Sequence, residues 1–136
     1  MTQRDLGWLE GLIDGEGGFC IWTSRNAKTF NIEVAIYNTC FPLLKRVKRI
    51  VGDGSIRKHA KQDKKHKTCY TYKFTYSTLK KLLPKLKLIV KERQRKIVIK
   101  ALKWSKERHT WGRWYPNTNR KYLTKAMKQI RKYNHE

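Results

Sequence analysis

Apolar residues near the N-terminus recur with the spacing of an α-helix. Leu6, Leu9 and Ile13 fall on one side when successive residues are placed about 100° apart around an axis. The opposite side is occupied by small residues at a spacing of four: Gly7, Gly11 and Gly15. The pattern predicts a helix over residues 3–14 with one apolar side and one side that has no side chains.

After the glycine pair at 17–18 the period changes from that of a helix to that of a strand. Apolar and mixed residues alternate over 19–24 and again over 30–37. Residues 26–28, between the two runs, favour a turn. The two runs therefore predict a β-hairpin with one apolar face and one polar face.

The rest of the chain continues this succession of helical and strand periods. A helix over 40–51, with Pro42 in its first turn and Gly52 beyond its end, is followed by strands over 55–60 and 68–76. The next predicted helix is capped by Ser77 and interrupted at Pro84, and another helix covers 91–105. A Trp-rich connector over 111–116 leads to a last helix with Leu123, Met127 and Ile130 inside.

The order α-β-β-α-β-β-α predicts an α+β fold: a four-stranded antiparallel sheet with helices on one face, plus a C-terminal helix. We interpret residues 1–136 as a single domain. Its core covers about 3–105, and a C-terminal helical extension covers about 106–136.

The net charge narrows the class of partner. The chain carries 33 Lys and Arg against 10 Asp and Glu, which gives a net charge of +23. The positive charges of such an excess repel one another and favour binding of a polyanion, whereas the surface of an ordinary soluble protein carries positive and negative charges in rough balance. A hydrophobic content of 39% supports a folded core and excludes a disordered basic tail. No apolar run reaches the roughly 18 residues of a membrane span, so we expect a nucleic-acid partner and no membrane.

The cysteines and histidines are few and scattered. Cys20, Cys40 and Cys69 form no Cys-x-x-Cys pair, so neither a disulfide frame nor a zinc site is predicted. The four histidines lie far apart, which disfavours a His-based metal cluster. No secretory leader precedes Leu6. We therefore expect a reduced, intracellular protein of a prokaryotic cytoplasm or an organelle that is not secreted.

The polar face of the predicted sheet collects hydrogen-bonding and cationic side chains. Such side chains suit base edges and phosphates in a DNA groove, although the same pattern also describes an ordinary hydrated sheet face. The net charge favours a nucleic-acid platform. The predicted DNA-contacting residues are Trp22, Ser24, Asn26, Lys28, Asn31, Glu33, Tyr37, Arg57, His59, Thr71, Lys73 and Thr75.

The glycine side of the first helix lacks an evident partner within the chain. A glycine in a helix interior costs about 1 kcal/mol relative to alanine, so a regular stripe of them asks for a compensating contact. Small residues at a spacing of four allow a second helix to approach closely. We predict a homodimer in which this helix packs on its copy across a two-fold axis; the alternative is a loosened helix end. The predicted interface residues are Gly7, Trp8, Gly11, Leu12 and Gly15.

Two carboxylates, Asp14 and Glu16, lie where this helix runs into the sheet. With DNA on the sheet they would meet phosphate, and a divalent cation would turn that repulsion into binding. Mg²⁺ is therefore the predicted cofactor. Glu16 from each of two copies would supply the paired acids that metal-assisted phosphodiester hydrolysis requires. The alternatives are a structural helix cap for Asp14 and a lysine-paired surface acid for Glu16.

The run Leu9–Gly17, Leu-Glu-Gly-Leu-Ile-Asp-Gly-Glu-Gly, resembles the signature motif of the LAGLIDADG homing endonucleases. The flanking segments 7–8 and 18–21 are also similar to the family, and Asp14 resembles the structural acid of its motif. The chain contains one copy of the motif, and family members with one copy act as homodimers. The resemblance implies a saddle-shaped αββαββα fold whose sheet reads the DNA major groove and whose motif helices form the dimer interface.

The resemblance also implies roles for single residues. Glu16 corresponds to the metal ligand of the family, together with the backbone carbonyl of Gly15. Family members use a basic residue before the helix that follows the fourth strand to orient water and phosphate; Lys91 matches it, with Arg93 as the alternative. Asn38 matches a polar residue that completes the water network at the end of the second strand.

These patterns predict a site-specific double-strand DNA endonuclease, of the kind encoded within mobile introns. It would hydrolyse phosphodiester bonds with a divalent metal, as a homodimer on a near-palindromic target. The alternative is an RNA-splicing maturase or a non-cleaving DNA-binding regulator on the same scaffold. A basic ribosomal or RNA-coating protein would explain the charge but would leave the glycine stripe and Glu16 without a role.

Overall fold

The computed structural model describes residues 1–23, 30–59, 67–104 and 117–135. The elements are α1 (Gln3–Glu16), β1 (Gly17–Thr23), β2 (Phe30–Asn38), α2 (Phe41–Val51), β3 (Ser55–Lys58), β4 (Tyr70–Lys73), α3 (Tyr76–Leu82) with a 3₁₀ turn after it (Leu83–Lys85), α4 (Glu92–Trp104) and α5 (Asn117–Asn134). The strands form one four-stranded sheet in the order β1-β2-β4-β3. β4 pairs in antiparallel fashion with both β2 and β3. The predicted α+β fold with an additional C-terminal helix is confirmed.

Helix α1 is fixed at both ends by specific contacts. The Thr2 hydroxyl accepts a hydrogen bond from the Asp5 amide (3.0 Å), and the Asp5 carboxylate accepts one from the Thr2 amide (3.2 Å). At the other end, a Cβ on Gly17 would lie 2.6 Å from the carbonyl oxygen of Ile13, so only glycine fits there. Glu16 is the last residue of α1, two residues beyond the predicted end.

The chain divides into two compact units. The first unit comprises Met1–Gly18 and Val34–Val90, and the second comprises Phe19–Glu33 and Lys91–Glu136. The large, fully buried side chains of the first unit include Leu9, Ile13, Ile36, Leu44, Tyr72 and Leu83. Those of the second include Phe19, Ile21, Leu123 and Ile130. Of the apolar positions predicted for the core side of α1, Leu9 and Ile13 are fully buried and Leu6 is half-buried. The interpretation as a single domain stays a prediction.

The second pair of strands is shorter than the sequence predicted. β3 ends at Lys58, and β4 ends at Lys73. Thr75 was predicted on the sheet face, but it caps α3, where its hydroxyl accepts a hydrogen bond from the Thr78 amide (3.4 Å). The cap is therefore Thr75 rather than Ser77, and Thr75 is removed from the set of sheet-face residues.

The C-terminal helix α5 turns a slightly different side inward from the one predicted. Leu123 and Ile130 are buried as expected, while Ala126 is buried and Met127 is half-buried. The Trp-rich connector at 111–116 lies outside the described residues. Within the described ranges, no helix combines the length and the apolar character needed to cross a lipid bilayer.

The early end of β4 has a physical cause in the loop before β3. The Asp53 carboxylate accepts hydrogen bonds from the hydroxyls of Thr75 (2.8 Å) and Thr78 (3.2 Å) and from the Gly54 amide (2.7 Å). The Tyr72 hydroxyl donates to the carbonyl oxygen of Asp53. The bond from Thr75, and then that from Gly54, lower the pKa of Asp53 below its usual 3.8. These contacts hold Thr75 at the start of α3.

Asp53→Ala is expected to lower the free energy of unfolding at neutral pH, because three donors lose their acceptor. The pKa of Asp53 is lower in the folded than in the unfolded chain, so its contribution is full above the unfolded pKa near 3.8 and is lost as the pH falls through the folded pKa. In urea unfolding, the free energies of unfolding of wild type and Asp53→Ala should therefore become more similar as the pH is lowered. Asp53→Asn keeps one carbonyl acceptor and should lose less free energy of unfolding than Asp53→Ala. A stability difference between wild type and Asp53→Ala that did not change with pH would contradict the role of the charge.

Candidate nucleic-acid interface

The outer face of the sheet is defined in the first unit by the pairing of β2, β4 and β3. Tyr37 of β2 lies opposite Thr71 of β4, and Thr71 lies opposite Arg57 of β3. The next row on the same face consists of Ala35, Lys73 and Ser55. The intervening Ile36 and Tyr72 point to the other side and are fully buried. Tyr37, Thr71 and Arg57 therefore share one face, as predicted.

Thr71 differs from its neighbours in this row because it is buried. Its exposed fraction is 1%, against 46% for Tyr37. The Nε2 atom of His59 lies within hydrogen-bonding distance of the Thr71 hydroxyl, and Tyr37 and Arg57 flank Thr71 on the adjacent strands. A small side chain between larger cross-strand neighbours is covered by them. The prediction of Thr71 as an exposed contact is therefore corrected: Thr71 supports the exposed His59.

The second unit contributes the polar sides of β1 and of the start of β2. Trp22 is 43% exposed and lies on the side of β1 opposite the buried Phe19 and Ile21. Asn31 and Glu33 are half-buried and alternate with buried residues of β2. Three further predicted contacts lie outside the described residues: Ser24, Asn26 and Lys28. Of the predicted contacts in the described part of this unit, Trp22 is thus an exposed aromatic side chain on the polar side of β1.

Where α1 meets β1, an exposed aromatic side chain packs against the backbone two residues beyond the exposed Glu16. Glu16 ends α1 and is exposed, and Gly18 follows two residues later. The position that a Cβ of Gly18 would take is 3.4 Å from Cε2 of Tyr37. The Tyr37 ring thus packs over the backbone just beyond Glu16. The sequence assigned Tyr37 to the sheet face but did not reveal this proximity, which depends on the register of two strands.

Asn38 has a local structural task. Its Oδ1 atom accepts a hydrogen bond from the Cys40 amide (2.8 Å), which forms an Asx-type turn into α2. Asn38 also lies on the opposite side of β2 from Tyr37, since successive strand residues alternate. The part predicted for Asn38 in a catalytic water network stays a prediction.

Two carboxylates of α1 hold the segment that leads toward α4. The Asp14 carboxylate accepts hydrogen bonds from the amides of Ile89 (2.7 Å) and Val90 (3.1 Å). One turn earlier, the Glu10 carboxylate accepts one from the amide of Lys87 (3.1 Å). The two acids are four residues apart and therefore lie on one side of the helix. Asp14 is thus structural, as its resemblance to the structural acid of the family implied, but Glu10 was missed.

Asp14→Ala is expected to lower the free energy of unfolding by about 1–3 kcal/mol, because two backbone amides lose a charged acceptor. Asp14→Asn retains a carbonyl oxygen and is expected to lose less than half of that. Urea unfolding measures both values, and hydrogen exchange of the Ile89 and Val90 amides reports the local effect. Equal stability of wild type and Asp14→Ala would show that these bonds do not hold the segment.

The glycine stripe of α1 is open in the single chain. A Cβ at Gly7, Gly11 or Gly15 would meet nothing within 4 Å. On one flank the ring of Trp8 lies beneath the Arg46 guanidinium, 4.6 Å from the ring centroid. The residues that Asp14 holds border the other flank, and their exposed fractions are 90% for Ile89 and 71% for Val90. The open stripe is therefore bordered by apolar side chains; the half-buried Leu12 lies on the Trp8 flank.

Lys91 belongs to the second unit and immediately precedes α4. Its carbonyl oxygen accepts a hydrogen bond from the Arg95 amide (2.9 Å), so the backbone at Lys91 is fixed by the first turn of α4. The alternative basic residue, Arg93, has its guanidinium 4.1 Å from the centroid of the Tyr133 ring. That contact gives Arg93 a packing role within the second unit and favours Lys91 of the two.

The end of α1 offers oxygen ligands of the kind that Mg²⁺ binds. Glu16 provides an exposed carboxylate, and the Gly15 carbonyl lies in the last turn of the helix, beyond which the helical hydrogen bonding does not continue. Among the described residues, no three His, Cys, Asp or Glu side chains gather as a metal site. Mg²⁺ typically takes one or two carboxylates and fills its remaining positions with water and phosphate oxygens. One chain therefore offers one carboxylate and one carbonyl oxygen toward such a ligand set.

A scan against protein-family models finds no match to this sequence, and a search of curated proteins finds no significant match. Solved structures do match. The archaeal intron-encoded homing endonuclease I-Vdi141I, in complex with DNA, superposes with a TM-score of 0.77 at 23% identity, over 96% of this chain and 84% of that chain.

Two further homing endonucleases superpose with this chain. I-CvuI, bound to uncleaved DNA in the presence of Mg, gives a TM-score of 0.63 at 21% identity, over 96% of this chain and 82% of that one. The LAGLIDADG homing endonuclease I-GzeII, bound to its DNA target, gives 0.75 at 19% identity, and this chain spans only 44% of its length. The chain therefore has the fold of the LAGLIDADG homing endonucleases.

Proposed function

We propose that this chain is a homodimeric, divalent-metal-dependent endonuclease that cleaves both strands of a near-palindromic DNA site. The observation that carries the proposal is α1, an open glycine stripe that ends in the exposed carboxylate of Glu16. A second copy packed on the stripe, with the two-fold axis along the helices, would bring both Glu16 carboxylates to one end of the pair. The solved structures with this fold include homing endonucleases bound to DNA.

Double-stranded DNA is the substrate that the charges and the sheet favour. A net charge of +23 favours binding to a polyanion. On the sheet, the aromatic side chains of Trp22 and Tyr37 and the cationic side chain of Arg57 are exposed. Planar and hydrogen-bonding groups of this kind read base edges, while cations bind phosphates. Because a two-fold dimer presents the same surface twice, its target would consist of two similar half-sites.

The chemistry we propose assigns one task to each group. Glu16 and the Gly15 carbonyl would hold Mg²⁺, which when bound supplies a Lewis acid and lowers the pKa of its water. The DNA complexes of I-CvuI were determined in the presence of Mg or of Ca. The Lys91 ammonium would offset the negative charge that develops on the phosphate and on the departing 3′ oxygen. Asp14 and Glu10 would keep the segment before Lys91 in place.

Selection of cleaved sites from a random DNA library tests the proposal. The purified chain is incubated with the library in Mg²⁺, in Ca²⁺ and in EDTA, and the ends of the products are sequenced. We expect cleavage of both strands at one near-palindromic site in Mg²⁺ and none in EDTA. Site-specific binding without cleavage in any metal would contradict the enzyme and favour the regulator. Promotion of group I intron splicing without DNA cleavage would favour the maturase.

A further inference from the structure

The outer side of α5 carries a dense stripe of positive charge. Its cationic residues are Arg120, Lys121, Lys125, Lys128, Arg131 and Lys132. At about 100° per residue, the four lysines fall within about 60° of one another around the helix axis. Leu123, Ala126 and Ile130 are buried on the opposite side. The stripe therefore faces solvent along three turns of the helix.

This stripe is unfavourable in the isolated chain. Lys121 and Lys125, like Lys128 and Lys132, are four residues apart, a spacing at which like charges destabilise a helix. α5 contains no Asp or Glu that could neutralise them, and Arg120 lies near the positive end of the helix dipole. Such a surface is stabilised by a bound polyanion.

The stripe is also held rigidly, unlike a flexible basic tail. Near the start of α5 the ring of Tyr122 stacks on Trp104 of α4, with 4.7 Å between the ring centroids. Near its end the ring of Tyr133 lies under the Arg93 guanidinium. Because α4 fixes α5 at both ends, the lysines are arranged before any ligand binds, which lowers the entropic cost of binding.

Within the second unit, the C-terminal end of α5 is tied to β1. The Nδ2 atom of Asn134 donates to the carbonyl oxygen of Phe19 (2.8 Å). Burial and then the charge of Glu33 raise the pKa of the Cys20 thiol, while the charge of Arg131 acts in the opposite direction. Cys20 shares the exposed side of β1 with Trp22. The C-terminal end of the basic stripe therefore lies beside β1, an edge strand of the sheet.

We propose that the outer side of α5 is a second DNA-binding surface, which binds backbone phosphates beyond the β1 edge of the sheet through four lysines: Lys121, Lys125, Lys128 and Lys132. The proposal rests on the proposed function, because it assumes that DNA lies on the sheet. At 1.5 Å per residue the stripe is about 16 Å long, which corresponds to about five nucleotides at 3.4 Å each. Contacts of this kind add affinity but no sequence preference.

The test compares the salt dependence of DNA binding. The variant K121Q/K125Q/K128Q/K132Q is combined with Glu16→Gln, so that binding is measured without cleavage. Each phosphate contact contributes about 0.9 to the slope of log K against log salt, so we expect the slope to fall by about 3–4 for each protomer, or by about 7 for the dimer. The affinity ratio between the cognate site and a single-base variant should not change. Duplexes shortened from both ends lack the phosphates that α5 would bind, so the variant and its parent should bind them with similar affinity.

A matched control removes four exposed cations from the first unit: K48Q/R49Q/K81Q/K85Q. It loses the same net charge and is expected to keep a slope within about one unit of the parent. Lys→Arg at the four α5 positions should restore the slope. Thermal unfolding by circular dichroism should show no loss of stability in the α5 variant, because repulsion is relieved.

The outcomes separate this proposal from the proposed function. An unchanged slope for the α5 variant, or the same loss in the control, would overturn the α5 surface while leaving the endonuclease intact. A loss of affinity for structured RNA but not for DNA would overturn it in favour of an RNA surface. Failure of Glu16→Gln with an intact α5 to bind any DNA site would instead overturn the proposed function.

Discussion

Replacing Glu16 by glutamine is expected to lower the rate of DNA cleavage in Mg²⁺ on the order of 10³-fold, equivalent to about 4 kcal/mol of transition-state stabilisation. Glu16 is exposed at the last residue of α1, so the amide fits in place of the carboxylate without a cost in packing. The amide carries no charge and is a poor ligand for Mg²⁺. Site affinity in Ca²⁺-free buffer should stay within about twofold, because no phosphate contact is removed.

The matched control is Glu10→Gln. This acid lies on the same helix, and glutamine retains an oxygen that can accept the hydrogen bond from the Lys87 amide. Cleavage by Glu10→Gln should therefore stay within about threefold of wild type, since no ligand of the proposed metal site changes. Single-turnover cleavage of the selected site measures both variants, and gel-shift titration measures binding. Normal cleavage by Glu16→Gln, or equal losses in both variants, would remove Glu16 from the proposed site.

The order of elements was predictable from the sequence because each element carries a strong local signal. Pro42 and Gly52 bracket α2, and Gly52 takes the left-handed conformation (φ 85°) that its position predicts. The ends of elements were harder to predict. β4 stops at Lys73 because Asp53, about 20 residues away along the chain, holds Thr75 by a side-chain hydrogen bond. No periodicity in the sequence contains that contact.

The candidate site was predictable in its composition but not in its tertiary contacts. Alternation assigned Tyr37, Arg57 and Thr71 to one face, yet the burial of Thr71 depends on which residues flank it across two strand pairs. Glu10 and Asp14 bind amides more than 70 residues away, which local patterns cannot reveal. The roles of Lys91 and Asn38 came from a family resemblance and stay predictions.

The glycine stripe of α1 lowers the stability of its own helix, and nothing in the described part of the chain packs against it to offset that loss. Each glycine weakens α1, and no residue of the described chain lies where their side chains would be. The apolar side chains of Ile89 and Val90 are exposed beside the stripe, held there by Asp14. A second copy packed on the glycine stripe would cover these exposed apolar groups. If a second copy packs there, Asp14 would also stabilise the dimer, because it holds Ile89 and Val90 in place.

Gly11→Ala is expected to affect the isolated chain and the dimer in opposite directions. A Cβ at Gly11 meets nothing within 4 Å, so the helix should gain about 1 kcal/mol in the free energy of unfolding of the monomer. In the dimer the same methyl group would separate two backbones that approach closely, so association should weaken by about 5- to 150-fold, the equivalent of the general overpacking cost of about 1–3 kcal/mol. Urea unfolding at low protein concentration and sedimentation equilibrium measure the two effects.

Gly11→Leu should abolish both the dimer and DNA cleavage at micromolar concentration while the monomer still folds, because a leucine side chain cannot fit between two packed helices. The matched control is Arg49→Leu, which adds a similar apolar surface to an exposed position of α2. It should keep the wild-type oligomeric state, and its cleavage of the selected site should fall by less than about threefold, since one cation away from the sheet face is lost. If Gly11→Leu remained dimeric and cleaved DNA at the wild-type rate, α1 would not be the interface. The paired Glu16 site would then have no structural basis, because the described residues of a single chain gather no group of three or more potential metal ligands.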